Sequence, residues 1–217
     1  MKFFIDSADT AAIIALTKTG LIDGVTTNPS LLAQQKEPVK QVIETLCTHV
    51  HGPISLEVTE KEPQKVLEQA RTIAALHKNI IVKIPFDSIY LPIIKQLVSE
   101  NIKLNITLIF SALHALAVAK LGVAYLSPFV GRIDDLDRNG LELLEEIVTI
   151  KHQYNFSFET IAASLRTLTH IKSAALMGID IATISPELFK KMLYNQLALD
   201  GMKKFDDDWN KSNLKNV

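Results

Sequence analysis

Short runs rich in β-branched and other apolar residues alternate eight times with longer stretches of helical periodicity, and this alternation restricts the fold more than any other feature. The strand-like runs are Lys2–Asp6, Gly24–Asn28, Ile54–Thr59, Ile80–Pro85, Lys103–Phe110, Ala124–Val130, Glu159–Ser164 and Ile181–Ile184. Between them the apolar spacing turns helical. Val39, Val42, Ile43, Leu46 and Val50 share one face, as do Val66, Leu67, Ala70, Ile73 and Ala74, and Leu141, Leu144, Ile147 and Val148. Pro63 and Pro186 suit a first helical turn, Ser111 can cap the helix after Phe110, and Gly122 and Gly178 stand where helices end. Strands that read as buried on both faces, each followed by a helix, predict an all-parallel sheet. Eight such units favour an α/β fold closed into a single (β/α)8 TIM barrel over an open doubly wound sheet. No G-x-G-x-x-G fingerprint follows any strand to argue for the open form.

The 217 residues fit one such domain, 1–217, and a hydrophobic fraction of 47% supplies its core. Beyond the eighth unit an extra C-terminal helix is expected over about 197–210, with Met202, Phe205 and Trp209 on one stripe. That stripe needs an apolar surface, either the barrel's own flank or a neighbouring subunit. Lys211 to Val217 are polar and expected to be loose. A net charge of −1 gives no electrostatic footprint for nucleic acid or an anionic membrane surface. No apolar run approaches the roughly 20 residues a membrane helix needs. Cys47 is the only cysteine, and Asp6 interrupts any signal-peptide apolar region, so a cytoplasmic setting is expected.

In a closed barrel alternate residues of each strand point inward, and chemistry collects at the C-terminal strand ends. The polar residues follow that rule. Asp6 ends the first strand, Thr26 and Asn28 stand two apart on the second, Glu57 lies near the end of the third, and Lys83 sits within Ile80–Pro85. Asn105 and Thr107, Ser127 and Phe129, and Ser164 and Arg166 form further pairs with the same spacing. A lysine among Ile and Val on a central strand is held from water, which disfavours its ammonium form, the condition a nucleophilic amine requires. The plainer alternative is a structural ion pair with Glu57 or Asp6, an arrangement that adds little net stability. Asp6 and Glu57 suit acid–base work, with Thr107 able to hold a water; a strand-end Asp also serves as a helix cap. Asn28, Asn105 and Ser127 suit sugar hydroxyls, although Asn28 before Pro29 equally suits a turn. Arg132, Ser164 and Arg166 follow strands six and seven, where barrels often hold phosphate; for Arg132 the alternative is pairing with Asp134 or Asp135.

Other candidates point elsewhere. Cys47, His49 and His51 are spaced so as to spread around a helix rather than converge on a metal. His77, His114, His152 and His170 are expected on helical stretches away from the barrel mouth, and Asp206, Asp207 and Asp208 on a solvated helix face.

Four segments carry a resemblance: Phe4-Ile5-Asp6, Gly24-Val25-Thr26-Thr27-Asn28-Pro29-Ser30, Ile81-Val82-Lys83-Ile84-Pro85 and Ser127-Pro128-Phe129-Val130-Gly131-Arg132. In that order, at matching strand ends, they resemble the transaldolases, specifically the short-subunit branch shared with fructose-6-phosphate aldolases, from Met1 to about Trp209. The resemblance implies a class I aldol mechanism without metal or cofactor. Lys83 would form a Schiff base with the ketose C2 carbonyl and Asp6 would take the C4 hydroxyl proton. Glu57 and Thr107 would handle the catalytic water. Thr26, Asn28, Asn105, Ser127 and Phe129 would surround the three-carbon fragment, and Arg132, Ser164 and Arg166 would hold phosphate. Transaldolases carry Glu and Phe where the aldolases carry Gln and Tyr; here Glu57 and Phe129 read transaldolase. One departure stands beside Arg166, where the family often shows His-Pro and this chain has Thr167-Leu168. Partners implied are sugar phosphates and further copies of the chain, as a homo-oligomer of five or ten subunits. The rival readings are a fructose-6-phosphate aldolase releasing free dihydroxyacetone and a non-catalytic sugar-phosphate-binding barrel.

Overall fold

The computed structural model describes residues 1–212; the expectation of a loose tail lies, beyond Ser212, outside the described residues. Eight strands are present: β1 (Lys2–Asp6), β2 (Gly24–Thr26), β3 (Ile54–Glu57), β4 (Ile80–Pro85), β5 (Leu104–Ile109), β6 (Tyr125–Pro128), β7 (Glu159–Ala162) and β8 (Ile181–Ile184). All pair in parallel, and β8 hydrogen-bonds back to β1 with Phe3 opposite Ala182, so the sheet is a closed (β/α)8 TIM barrel. The helices are α1 (Thr10–Thr17), α2 (Pro29–Ala33), α3 (Val39–His49), α4 (Pro63–Ala74), α5 (Leu91–Ser99), α6 (Ala112–Ala119), α7 (Gly131–Asp134), α8 (Gly140–Gln153), α9 (Leu168–Leu176), α10 (Pro186–Leu193) and α11 (Gln196–Lys211).

Boundary residues act as their chemistry dictates. Pro63 and Pro186 open α4 and α10, where the missing N–H costs nothing. Ser111 caps α6, and Gly122 and Gly178 take φ of +80° and +79° just after helices, a conformation glycine adopts without strain. Several strands end before the expected residue because the chain is already turning. Asn28 leaves β2 to cap α2, Phe129 joins Ala163 only by an isolated bridge beyond β6, and Ser164 lies past β7 with φ of +59°.

Strand residues divide by parity. Outward side chains such as Ile5, Val25, Ile54 and Ile184 pack against Ile13, Leu46 and Phe189 of the helix layer. On the other side Val82, Ile84, Leu104 and Ile106 meet Val66, Ile94, Val118 and Ile147. Inward, an apolar layer of Phe4, Ile81, Tyr125, Ile161 and Ile181 closes the barrel bottom. Gly24 belongs to this arrangement, because a Cβ there would lie 2.6 Å from the Phe4 ring. Two residues onward, Asp6, Lys83, Ser127, Ala163 and Thr183 line a cavity above that layer. The apolar floor excludes water from below, and the polar layer opens upward at the strand ends.

The helix α11 stands apart. None of its residues is buried, and Met202, Phe205 and Trp209 are 53%, 72% and 48% exposed. Among the described residues, no helix is long and apolar enough to cross a membrane.

Candidate active site

The strand-end cavity measures about 160 Å³ and is lined by Asp6, Thr26, Asn28, Lys83, Ser127, Phe129, Arg132, Ala163, Ser164 and Thr183. A groove of about 620 Å³ beside α3, with Val39, Ile43, Cys47 and Leu76, is larger. Its walls are mostly apolar and bring no set of converging polar groups, so the smaller cavity is the candidate site.

Lys83 is 4% exposed, and its Nζ has two partners. It donates to the Thr27 carbonyl at 2.9 Å and pairs with Glu57 Oε2 at 3.0 Å. The register of β3 against β4 sets Glu57 directly beside Lys83, and that of β4 against β5 sets Asn105 on its other side. The ion pair named as the plainer alternative is therefore present, with Glu57 as the carboxylate. It does not remove the functional reading, because a proton can pass across 3.0 Å between its members. Glu57 approaches Lys83 from the side and is not among the cavity-lining residues.

Asp6 accepts a hydrogen bond from Thr26 Oγ1 at 2.7 Å, and Thr26 Oγ1 lies 2.6 Å from Thr183 Oγ1. Burial pushes the Asp6 carboxyl above its usual range, while the Thr26 hydroxyl and the Lys83 charge pull it down by less. Asp6 is not a helix cap; Asp9 caps α1 instead.

A second polar chain crosses the interior. Ser127 Oγ donates to Asn105 Oδ1 at 2.7 Å, and Asn105 Nδ2 donates to Ser55 Oγ at 3.2 Å. Asn105 is fully buried and reaches the site as an orienting partner of Ser127. Thr107 is also fully buried, and its hydroxyl has no hydrogen-bond partner among the described residues, a costly condition unless the group serves a bound molecule. Asn28 fulfils both of its expected readings, because Oδ1 caps α2 by accepting from Leu31 N while the residue also lines the cavity.

The two arginines differ in their surroundings. Arg132 lines the cavity with its guanidinium carbon 5.2 Å from the Phe129 ring centroid, and Phe110 meets the Phe129 ring in an edge-on contact, centroids 5.9 Å apart. Arg166 is held by Asp135, Nη1 donating to one carboxylate oxygen and Nη2 to the other, which keeps the Asp135 carboxyl below its usual range. Of the two carboxylates offered to Arg132, Asp135 thus neutralises Arg166 and Asp134 lies against His170, and Arg166 is outside the cavity lining. Phe129 differs from expectation as well. Its ring contacts both Phe110 and Arg132, and its backbone makes only an isolated bridge to Ala163 rather than continuing the strand.

His170 requires a correction, since it was expected away from the mouth. The first turn of α9 begins so soon after Arg166 that His170 Nδ1 accepts from the Arg166 N–H at 3.3 Å, and its Nε2 lies 3.4 Å from Asp134. His114 stacks on Phe86, just past the end of β4, and His77 occupies a loop rather than a helix. Thr167, at the departure from the family pattern, caps α9 by accepting from His170 N. Sequence reading missed Thr183, Ser55 and Ala163. Threonine and serine are ordinary strand residues, so only inward parity set beside Asp6 and Asn105 could have marked them.

The chain matches a family model described as Transaldolase/Fructose-6-phosphate aldolase over residues 3–215. A protein from Desulfatibacillum aliphaticivorans named "Probable transaldolase" is 45% identical over 98% of this chain and 99% of its own. One of the same name from Clostridium tetani is 44% identical over 98% and 100%. Among solved structures, the flavin-binding domain of baker's yeast flavocytochrome b2 superposes with a TM-score of 0.64 at 13% identity, covering 89% of this chain and 59% of that one. That likeness concerns the barrel alone.

Proposed function

The chain belongs to the transaldolase/fructose-6-phosphate aldolase family, and on that premise we propose that it is a transaldolase acting through a Schiff base on Lys83. One observation carries the reading: a buried lysine amine at a polar strand-end cavity, paired with Glu57 at 3.0 Å and sharing that cavity with Asp6. Transfer of a proton from Nζ to Glu57 leaves a neutral amine, which attacks the C2 carbonyl of fructose 6-phosphate or sedoheptulose 7-phosphate. Loss of water gives an iminium. Asp6 then takes the C4 hydroxyl proton as the C3–C4 bond breaks, its electron pair flowing into the iminium to form an enamine. An aldose phosphate leaves, and the dihydroxyacetone unit retained on Lys83 adds to glyceraldehyde 3-phosphate or erythrose 4-phosphate. Asp6 returns its proton to the new alkoxide, and water releases the product ketose.

Thr107, with its unpartnered hydroxyl, suits the water that enters and leaves at C2, with Glu57 as acid and base. Thr26, Asn28, Asn105 and Ser127 fix the hydroxyls of the three-carbon unit. Phosphate is held by Arg132 and Ser164 at the rim, and by Arg166 once it leaves Asp135. Glu57 and Phe129 favour transfer over simple cleavage. We place this activity in pentose phosphate metabolism, in the cytoplasm, and in a homo-oligomer of five or ten subunits.

The test is borohydride reduction in the presence of fructose 6-phosphate, followed by peptide mass analysis. A three- or six-carbon adduct is expected on Lys83 and on no other lysine, and Lys83→Ala should be inactive. An unmodified Lys83, or full activity in the variant, would falsify the Schiff-base reading. Release of dihydroxyacetone without acceptor as fast as transfer would replace transaldolase by fructose-6-phosphate aldolase.

A further inference from the structure

Thr183 has no part in the chemistry described above, yet it is buried, lines the cavity and touches the hydrogen-bond system of Asp6. Its Oγ1 lies 2.6 Å from Thr26 Oγ1, which in turn lies 2.7 Å from Asp6 Oδ1. The three groups come from β8, β2 and β1, adjacent strands of the closed barrel. We propose that Thr183 is a positioning residue for the proton transfers of Asp6, acting through the hydroxyl of Thr26.

Counting protons fixes the direction of the chain. A hydroxyl has one proton to give and two lone pairs to receive with. When Asp6 is ionised it can only accept, so Thr26 spends its single proton on Asp6 Oδ1. The close contact between the two threonine oxygens is then a hydrogen bond only if Thr183 donates to Thr26. A donor that is itself receiving a hydrogen bond is polarised and bonds its acceptor more strongly. Thr183 also fixes the rotation of the Thr26 hydroxyl, so the carboxylate presents its remaining lone pairs toward the cavity, where the substrate C4 hydroxyl would lie. The charged groups around Asp6 are Lys83 from β4, Glu57 behind it on β3, and Arg132 at the rim. Lys2 and Glu159 pair at the opposite end of the barrel. No charged residue on β2 or β8 faces Asp6, so the threonine pair is the polar support those two strands give it. The inference rests on the Schiff-base reading, because it assigns Thr183 to a step within that reaction.

Thr183→Val keeps the shape and the β-branched character the strand requires while removing the hydroxyl. Weaker donation to Asp6 should raise the pH at which its carboxylate forms. The acid limb of kcat/KM is therefore expected to move upward by about half a pH unit, with kcat lowered by about tenfold and KM little changed. Borohydride trapping on Lys83 should persist, because iminium formation does not use Asp6. Thr183→Ser should restore both rate and pH profile. In a Thr26→Val background, Thr183→Val should add no further loss. An unmoved acid limb, a serine variant as impaired as the valine one, or the same loss in both backgrounds overturns the proposal. Trapping in wild type separates the two levels. If Lys83 labels normally and the limb does not move, this inference alone falls; if Lys83 never labels, the Schiff-base reading falls and takes it along.

Discussion

Asp6 stands where the surroundings disfavour a charge. Its carboxyl is pushed above the usual range first by burial, with Thr26 and Lys83 only partly offsetting that push. The sign of the stability consequence follows. A carboxyl whose folded-state value is raised stabilises the fold fully at pH below its unfolded value of about 3.9, and that contribution is lost as pH rises through the folded value. In its ionised form the group therefore costs the fold stability. Asp6→Asn keeps an acceptor for Thr26 and removes the charge. It should lower activity by about 10²- to 10⁴-fold while making the protein more resistant to urea at pH 7. That advantage should shrink toward zero near pH 3.5. A variant that unfolds more easily than wild type at pH 7 would show that Asp6 is held by favourable contacts instead.

Two irregular elements shape the rim. In β5 the three steps from Ile106 to Ile109 lie opposite only two steps of β6, from Leu126 to Pro128, and Leu108 takes φ of +56°. That bulge lets Ile106 and Ile109 both face the helix layer while Asn105 and Thr107 face inward. The other is the turn from Phe129 into α7. Gly131 N donates to Ser164 O at 3.0 Å, and a Cβ at Gly131 would lie 2.5 Å from that backbone oxygen and 2.6 Å from Arg166 Nε. Gly131→Ala must displace backbone, so we expect a stability loss of about 1–3 kcal/mol and a raised KM for sugar phosphates, with Lys83 still trapped by borohydride. An unchanged KM would separate this turn from phosphate binding. Next to it, Phe129→Tyr places a hydroxyl at the cavity edge. It should raise acceptor-free release of dihydroxyacetone by about tenfold and lower transfer to erythrose 4-phosphate, read as initial rates of the two reactions. No change in their ratio would remove Phe129 from the discrimination.

At the scale of the whole molecule, α11 is unfinished within one chain. Leu197, Met202, Phe205 and Trp209 lie largely in solvent on a helix with no buried residue, a pattern that is costly unless another surface covers it. Light scattering at micromolar concentration should therefore show a species larger than a single chain. Phe205→Glu combined with Trp209→Glu should shift it toward monomer while leaving the barrel's circular dichroism intact. A wild-type monomer would mean that α11 is covered in some way other than by another copy.

Much of this was legible in the order of residues. Helix and strand periodicity depends on neighbours a few positions apart, so the eight strands are read from the sequence to within a few residues, with Pro63, Pro186, Gly122 and Gly178 marking the turns. Inward parity follows from the same local rule, and it placed Asp6, Thr26, Lys83 and Ser127 on one lining. The count of eight units favoured closure, but periodicity cannot see which residues closure brings together, because that depends on β8 reaching β1 across nearly the whole chain. Only closure brings Thr183 against Thr26, 157 residues apart. Nor could sequence decide which charges meet. Glu57 rather than Asp6 pairs with Lys83, and Asp135 takes Arg166 rather than Arg132. Local propensity is set by each residue and its chain neighbours, whereas an ion pair or a buried hydroxyl contact is set by distances of a few ångströms and by burial, and the packed barrel alone fixes those.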